Sequence, residues 1–224
     1  MRVVEPRVDI EPLNAIDAMC KIERLGRVSY RSEDAIRPGS YAAFIRRLVE
    51  QGHESVLEHA SISAIFTVDR GVSHELVRHR IASYTQESTR YCNYSDGVTF
   101  IEPFELKRNP QAYQIWHDAC EAEEKAYCAL LAMGYSTQWA RSVLGNSLKT
   151  EVAVTANLRE WRHILKLRTA KTAHPQIRQV MIPLLALFKD RMPPVFIDME
   201  VPEDMPMACW AKIYSDGEQV PLLI

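Results

Sequence analysis

Between residues 60 and 68 every second side chain is apolar, with Ile62, Ala64, Phe66 and Val68 on one face and Ser61, Ser63 and Thr67 mostly opposite. That period of two predicts a half-buried strand. A second alternation through Val152 and Val154 predicts another over 149–156. Residues 1–10 alternate more loosely around Val4, Val8 and Ile10 and predict an edge strand, because Pro6 has no amide to donate to a central ladder. A turn at 93–97 leads to a short strand at 98–101.

The intervening segments change to helical spacing. Leu13, Ile16, Met19 and Cys20 predict an amphipathic helix over 13–25 that Gly26 ends. A polar connection over 27–39 closes on Pro38-Gly39, and Ser40 is placed to cap a helix carrying Phe44, Leu48 and Val49 that stops at Gly52. Gly71 breaks the strand before it, Ser73 caps, and 74–79 form a short helix leading into a loop or helical turn over 81–91. Beyond Pro110, Tyr113, Trp116, Cys120, Glu123, Tyr127, Leu130 and Leu131 recur at threes and fours, a long helix to Met133 with Gly134 as its stop. Ser136 begins a shorter helix with Trp139, Ala140, Val143 and Leu144, leaving Arg141 off the stripe. Asn157 reads as an N-cap with Glu160 three residues on, close to a capping box, before a helix bearing Trp161, Ile164, Leu165 and Arg168. His174-Pro175 opens a final helix with a kink expected at Pro183, ended by Pro193-Pro194. Short strands follow, with Asp216-Gly217 as a hairpin turn.

The 224 residues suit one domain, 1–224, without repeats or low-complexity linkers. A formal net charge of −2 gives no general attraction to nucleic acid, so any basic stretch acts as a local site. Five cysteines, odd in number and without Cys-x-x-Cys spacing, imply reduced thiols and a cytoplasmic setting, with no structural zinc. Acid and proline in the first six residues do not read as a signal peptide. The longest apolar run, 180–188, contains Pro183 and falls well short of the roughly 18 residues of a spanning helix, so no membrane association is expected.

Residues 78–91 stand apart from this scaffold. Arg78, Arg80 and Arg90, with His79, four Ser or Thr hydroxyls, Gln86, Tyr84 and Tyr91, are too polar for a core segment. Guanidinium forks present paired donors to phosphate oxygens and hydroxyls fill the remaining acceptors, so the stretch reads as an anion site. A metal site at 53–59 is disfavoured, since His53 and His59 lie six apart, off one helical face, and match neither zinc-protease spacing. The dispersed glycines form no phosphate loop, which excludes a simple Rossmann domain, and neither Ser88 nor Cys92 has the partners of an activated nucleophile.

Arg78-His79-Arg80, seven residues and then Ser88, with Ser83 and Arg90 in place, resembles the signature of the flavin-dependent thymidylate synthases. Gly52-His53-Glu54-Ser55, Asn157-Leu158-Arg159 and Leu167-Arg168 resemble further blocks of that family, and the matching blocks run from about 27 to 180. The resemblance implies an α+β fold with helices around a small antiparallel sheet. It implies reductive methylation of dUMP to dTMP, with 5,10-methylenetetrahydrofolate as carbon donor, NADPH as reductant and FAD as cofactor, without an enzyme cysteine nucleophile. By the same resemblance Ser55, Arg78, His79, Arg80, Asn157, Arg159, His163 and His53 lie at the flavin. Glu75, Arg78, Gln86, Glu87, Ser88, Arg90, Arg141 and Arg168 lie at the nucleotide, Arg168 being the catalytic residue against the uracil ring. A cation there stabilises negative charge on the pyrimidine. Glu75 stands where many relatives carry Gln, and Thr85-Gln86 where many carry Asn-Glu. A homotetramer with sites between subunits is also implied.

Two other readings compete. One is a single-strand nucleic-acid module using 78–91 as a basic and aromatic strip. The other keeps the flavin and nucleotide site but catalyses a different reaction.

Overall fold

The computed structural model describes residues 1–222. In chain order the elements are β1 (Arg2–Val4), β2 (Arg7–Ile10), α1 (Ala15–Gly26), α2 (Ser40–Glu50), β3 (Ser61–Asp69), α3 (Arg70–Leu76), β4 (Ala82–Gln86) and β5 (Thr99–Ile101). There follow α4 (Pro110–Ala132), α5 (Thr137–Ala140), β6 (Lys149–Asn157), α6 (Leu158–Arg168), α7 (Pro175–Arg191), β7 (Lys212–Ser215) and β8 (Glu218–Gln219). Short 3-10 turns occupy 27–30, 33–35, 54–59, 106–108, 141–143 and 207–209.

Six strands form a sheet in the order β4-β6-β3-β2-β7-β8. Its pairings are antiparallel except for β2 with β7, which run parallel from Arg7↔Lys212 to Ile10↔Ser215. A separate parallel pair joins β1 to β5. The sheet is therefore mixed rather than small and antiparallel, because the chain's two ends enter side by side. The expected edge strand over 1–10 is likewise corrected. Pro6 splits it in two, and β2 lies inside the sheet between β3 and β7.

The long central pair β3 and β6 reads off the sequence as expected, with Ile62, Ala64, Phe66, Val152, Val154 and Ala156 turned to one buried face. Trp161 of α6 packs on that face, 6.3 Å from Phe66 and edge-on to Phe188 of α7 at 5.7 Å. Its indole donates to the Ile62 carbonyl at 3.0 Å, so the buried N–H is satisfied. A smaller core of Val98, Phe100, Trp116, Cys120, Tyr127 and Leu148 gathers under α4.

Several caps differ from expectation. Gly26 ends α1 in right-handed conformation, and its role is close approach: a Cβ there would lie 2.8 Å from the Phe44 ring. The cap of α2 is Gly39 at φ +79°, while the Ser40 hydroxyl bonds the buried Glu23 carboxylate. The cap of α3 is Asp69, whose carboxylate accepts from Val72 N–H at 2.9 Å; Ser73 is buried within the helix. Residues 81–91, expected as loop, contain the edge strand β4. α7 runs unbroken through Pro183, and the Gln179 carbonyl that this proline leaves free accepts from Ala211 N–H at 2.9 Å. Asp216 and Gly217, at φ +52° and +80°, make the expected hairpin turn.

Candidate functional site

Strand β3 delivers α3, and α3 ends at the Arg78-His79-Arg80 motif, while strand β6 delivers α6 from the neighbouring position in the sheet. Because β3 and β6 are antiparallel, the two helices leave opposite ends of the sheet, and the last residue of α6, Arg168, reaches Glu75 of α3 and His79 just beyond it. Tyr84 of β4 fastens the turn between: its hydroxyl donates to the carbonyls of Leu76 and His79, both at 2.8 Å. Burial, and then the nearby Glu160 carboxylate, push that phenol up to about 12, so it stays protonated and remains a donor.

At the centre is Arg168. Its Nε donates to Nε2 of His79 at 2.9 Å, one terminal nitrogen to the Glu75 carboxylate at 2.6 Å and the other to the Glu75 carbonyl at 2.9 Å. Three of its five N–H groups are committed, leaving two directed donors for a ligand. His79 is 5% exposed, and its Nδ1 lies 3.9 Å from the Glu160 carboxylate. The His163 ring stands edge-on to it at 5.7 Å. Burial, the Arg168 guanidinium and the His163 imidazole together hold the His79 pKa down to about 4, which keeps the ring neutral near pH 7. Burial raises the Glu160 carboxyl above its ordinary value, opposed by His163.

His79, Glu160 and His163 are the one group among the described residues with the spacing of a metal cluster. The guanidinium at His79 Nε2 argues against a cation. A metal on Nδ1 would leave the proton on Nε2, facing the N–H of Arg168, and would add charge beside an arginine.

Beside this cluster opens a groove of about 860 Å³, lined among others by Ile81, Asn157, Arg159, His163, Lys166 and Glu58. Asn157 caps α6 as expected, its side chain accepting from Glu160 N–H at 2.8 Å, but the reciprocal half of the capping box is replaced, since Glu160 turns toward His79. Arg159 pairs with Glu58 at 2.6 Å. Arg162, buried, ties Glu54 to Asp198, so one guanidinium is shared between two carboxylates of the groove lining. His53 and Ser55 are exposed on the turn after α2, with the His53 amide donating to the Leu48 carbonyl as Gly52 adopts φ +72°. Arg78 and Arg80 are exposed on either side of buried His79.

The remaining residues form two other groups. Ser88, Arg90 and Arg141 come together where the turn after β4 meets the end of α5: Arg141 donates to Thr89 at 3.0 Å and Arg90 to Gln138 at 3.1 Å. The Ser88 hydroxyl accepts from the Arg90 amide at 3.3 Å, and the Thr137 hydroxyl donates to the Arg90 carbonyl. Two exposed guanidiniums and hydroxyls on a fastened loop suit a phosphate. Gln86 and Glu87 are engaged inward. Gln86 donates to Ser73 at 3.0 Å and to Thr150 at 3.2 Å, while Glu87 accepts from Tyr94 at 2.8 Å and pairs with Lys149 at 3.0 Å. No hydrogen bond or ion pair among the described residues joins the Ser88-Arg90-Arg141 group to Arg168.

The sequence reading missed Glu160 as more than a cap, Tyr84 as the fastener of the motif, and the Glu54-Arg162-Asp198 clamp. The available signal for Glu160 was its spacing of three from His163, which puts both on the helix face away from the Trp161 stripe.

The model of the thymidylate synthase complementing protein family matches residues 14–194. The chain belongs to the flavin-dependent thymidylate synthase family. The flavin-dependent thymidylate synthase of Mycolicibacterium vanbaalenii is 35% identical over 198 residues, covering 80% of this chain and 79% of that one. The family member of Geobacter sulfurreducens is 39% identical over 158 residues, 70% and 68% of the two chains. Among solved structures, the UMP/dUMP methylase PolB from Streptomyces cacaoi, bound with 5-Br dUMP, superposes with a TM-score of 0.75 at 25% identity, covering 90% of this chain and 100% of that one. The family's Arg-His-Arg motif is thus the element that, in this fold, sets its histidine against Arg168.

Proposed function

We propose that the protein is an FAD-dependent thymidylate synthase that methylates dUMP to dTMP, with 5,10-methylenetetrahydrofolate as carbon donor and NADPH as reductant. The observation that carries this reading is the arginine held by the motif. Arg168 is fixed by His79 and Glu75 yet keeps two N–H donors free, as a pyrimidine carbonyl and an ionised N3 require.

The residues present fit FAD. Exposed Arg78 and Arg80, with Lys166 and His163 along the groove, supply cationic and hydrogen-bonding groups for a diphosphate and a flavin ring, while Arg159 is paired with Glu58 until a ligand displaces it and Arg162 is shared by Glu54 and Asp198. The groove's size falls in the range of cofactor pockets. Bound flavin supplies the electrons and the one-carbon chemistry that no side chain here offers. The chain's own work is binding and charge control. Arg90, Arg141 and Ser88 hold the nucleotide phosphate, Arg168 faces the uracil and stabilises its developing negative charge, and His53 and Ser55 border the flavin. Glu75, Gln86 and Glu87 shape the nucleotide side while remaining tied to Arg168, Ser73 and Lys149.

Residues 1–224 act as a single domain and assemble as a homotetramer with sites shared between subunits. Support comes from the large apolar side chains left in solvent near the site, among them Ile81 at 70%, Tyr91 at 77% and Trp139 at 70% exposure. No helix of the described residues is long and apolar enough to cross a membrane, and the odd, unpaired cysteines suit a cytoplasmic protein.

The test is the visible spectrum of purified protein saturated with FAD and mixed anaerobically with NADPH, alone, with dUMP or with UMP. Bleaching accelerated by dUMP, followed by dTMP on addition of the folate, is the expected result. A protein that retains no flavin, or whose flavin reduction ignores both nucleotides, overturns the proposal. Sedimentation of the holoenzyme as an active monomer would refute the shared sites.

A further inference from the structure

We infer that Glu160 is a positioning residue for Arg168, acting through the tautomer of His79. The argument begins with the hydrogen bond at 2.9 Å between Arg168 Nε and His79 Nε2. A guanidinium nitrogen only donates, so Nε2 must carry the lone pair. The single proton of neutral His79 therefore sits on Nδ1. That nitrogen faces the Glu160 carboxylate at 3.9 Å, beyond direct hydrogen bonding but well within electrostatic reach in a site where Glu160 and His79 are 6% and 5% exposed. Negative charge opposite Nδ1 favours the Nδ1–H form. In the other tautomer, N–H would point at N–H, and Arg168 would have to release the ring.

The consequence reaches the ligand side of the site. Arg168 is planar and held at three points, and losing the Nε contact leaves it hinged on Glu75 alone. Its two free donors would then no longer be aimed. Glu160 reaches neither of them, and it gives the groove only one wall group among many. Its effect is on orientation, as a carboxylate behind an imidazole fixes the ring in other sites. Asn157 already caps α6 without it, so the helix does not depend on the Glu160 side chain for its start.

This inference rests on the function proposed above, and its test separates the two. Holoenzymes reconstituted with FAD are prepared as wild type, Glu160→Ala and Glu160→Gln. Flavin affinity, dTMP formation against dUMP concentration, and the His79 tautomer by 15N-histidine NMR are measured. Glu160→Ala is expected to lose on the order of tenfold in kcat/KM for dUMP with flavin affinity nearly unchanged, the size typical of removing an orienting partner. Its His79 should shift from the Nδ1–H to the Nε2–H form. Glu160→Gln, which keeps the size of the side chain but removes its negative charge, should show the same tautomer shift and the same loss in kcat/KM. An unchanged tautomer in Glu160→Ala overturns the inference, as does a parallel loss of flavin affinity and turnover in both variants, which would mark Glu160 as structural. If wild type makes no dTMP, the proposed function fails, while the tautomer measurement still decides the role of Glu160.

Discussion

Acidification should weaken the fold through His79 in a way that can be worked from its surroundings. Facing the ring are Arg168, His163 and Glu160 of α6; Glu75 of α3 holds Arg168, and Tyr84 of β4 bonds the His79 carbonyl. With burial leading and Arg168 and His163 adding, the folded pKa lies at about 4 against an ordinary 6.5. Between these values the unfolded chain takes up a proton that the folded chain refuses. Stability attributable to this group is therefore intact above pH 6.5 and is lost as pH falls toward 4. From pH 7 to pH 5 the loss is about 2 kcal/mol. The measurement is urea unfolding at both pH values, at fixed protein and FAD concentration, for wild type and His79→Gln. Glutamine offers Arg168 an acceptor that does not titrate. Wild type should lose about 2 kcal/mol more than the variant over this interval. The raised Glu160 carboxyl works in the opposite direction, since acid relieves the cost of its burial, but it is present in both proteins and cancels in the difference. Equal losses in the two proteins would refute the reasoning.

Other outcomes follow from contacts already described. Arg168→Ala should lower dTMP formation by roughly 10²–10³-fold while FAD still binds, the cost of removing one preorganised charge-stabilising group, read by steady-state assay beside flavin titration. Gly26→Ala should cost about 1–3 kcal/mol in urea unfolding, because the new methyl would sit 2.8 Å from the Phe44 ring and force it aside; an unchanged midpoint would mean the ring moves freely. Asn157→Ala should cost about 1 kcal/mol through the lost cap on α6, and Asn157→Asp should restore it, both measurable by thermal unfolding.

How much the sequence revealed depended on which face of each element was buried. β3 and β6 were legible because their inward positions carry Ile, Val, Phe and Ala over nine residues each, and a period of two is hard to mistake at that length. β4 was not, because at the sheet edge only Ala82 and Tyr84 pack on the core, and Ser83, Thr85 and Gln86 look like loop. Parallel or antiparallel pairing leaves no local trace, which is why β2 and β7 went unpaired on paper. In the site, the motif marked its residues by resemblance, yet spacing alone could not say that His79 would turn inward to Arg168 while Arg78 and Arg80 turn out. Glu160 carried a complete local explanation as a cap, and that explanation hid its long-range partner.

The parallel pairing of β2 with β7 has a further consequence for how the chain is made. β2 is among the first segments to leave the ribosome, and β7 lies more than two hundred residues later. During synthesis, then, β2 can pair with β3 on one side while its other edge stays open, a row of unmatched amides and carbonyls. Closure waits for the tail, and the Gln179 carbonyl left free by Pro183 supplies a fixed landing point for Ala211, one residue ahead of β7. The nascent protein thus spends most of its translation with an exposed strand edge, and it is in that interval that a chaperone, or a second nascent copy, would find it.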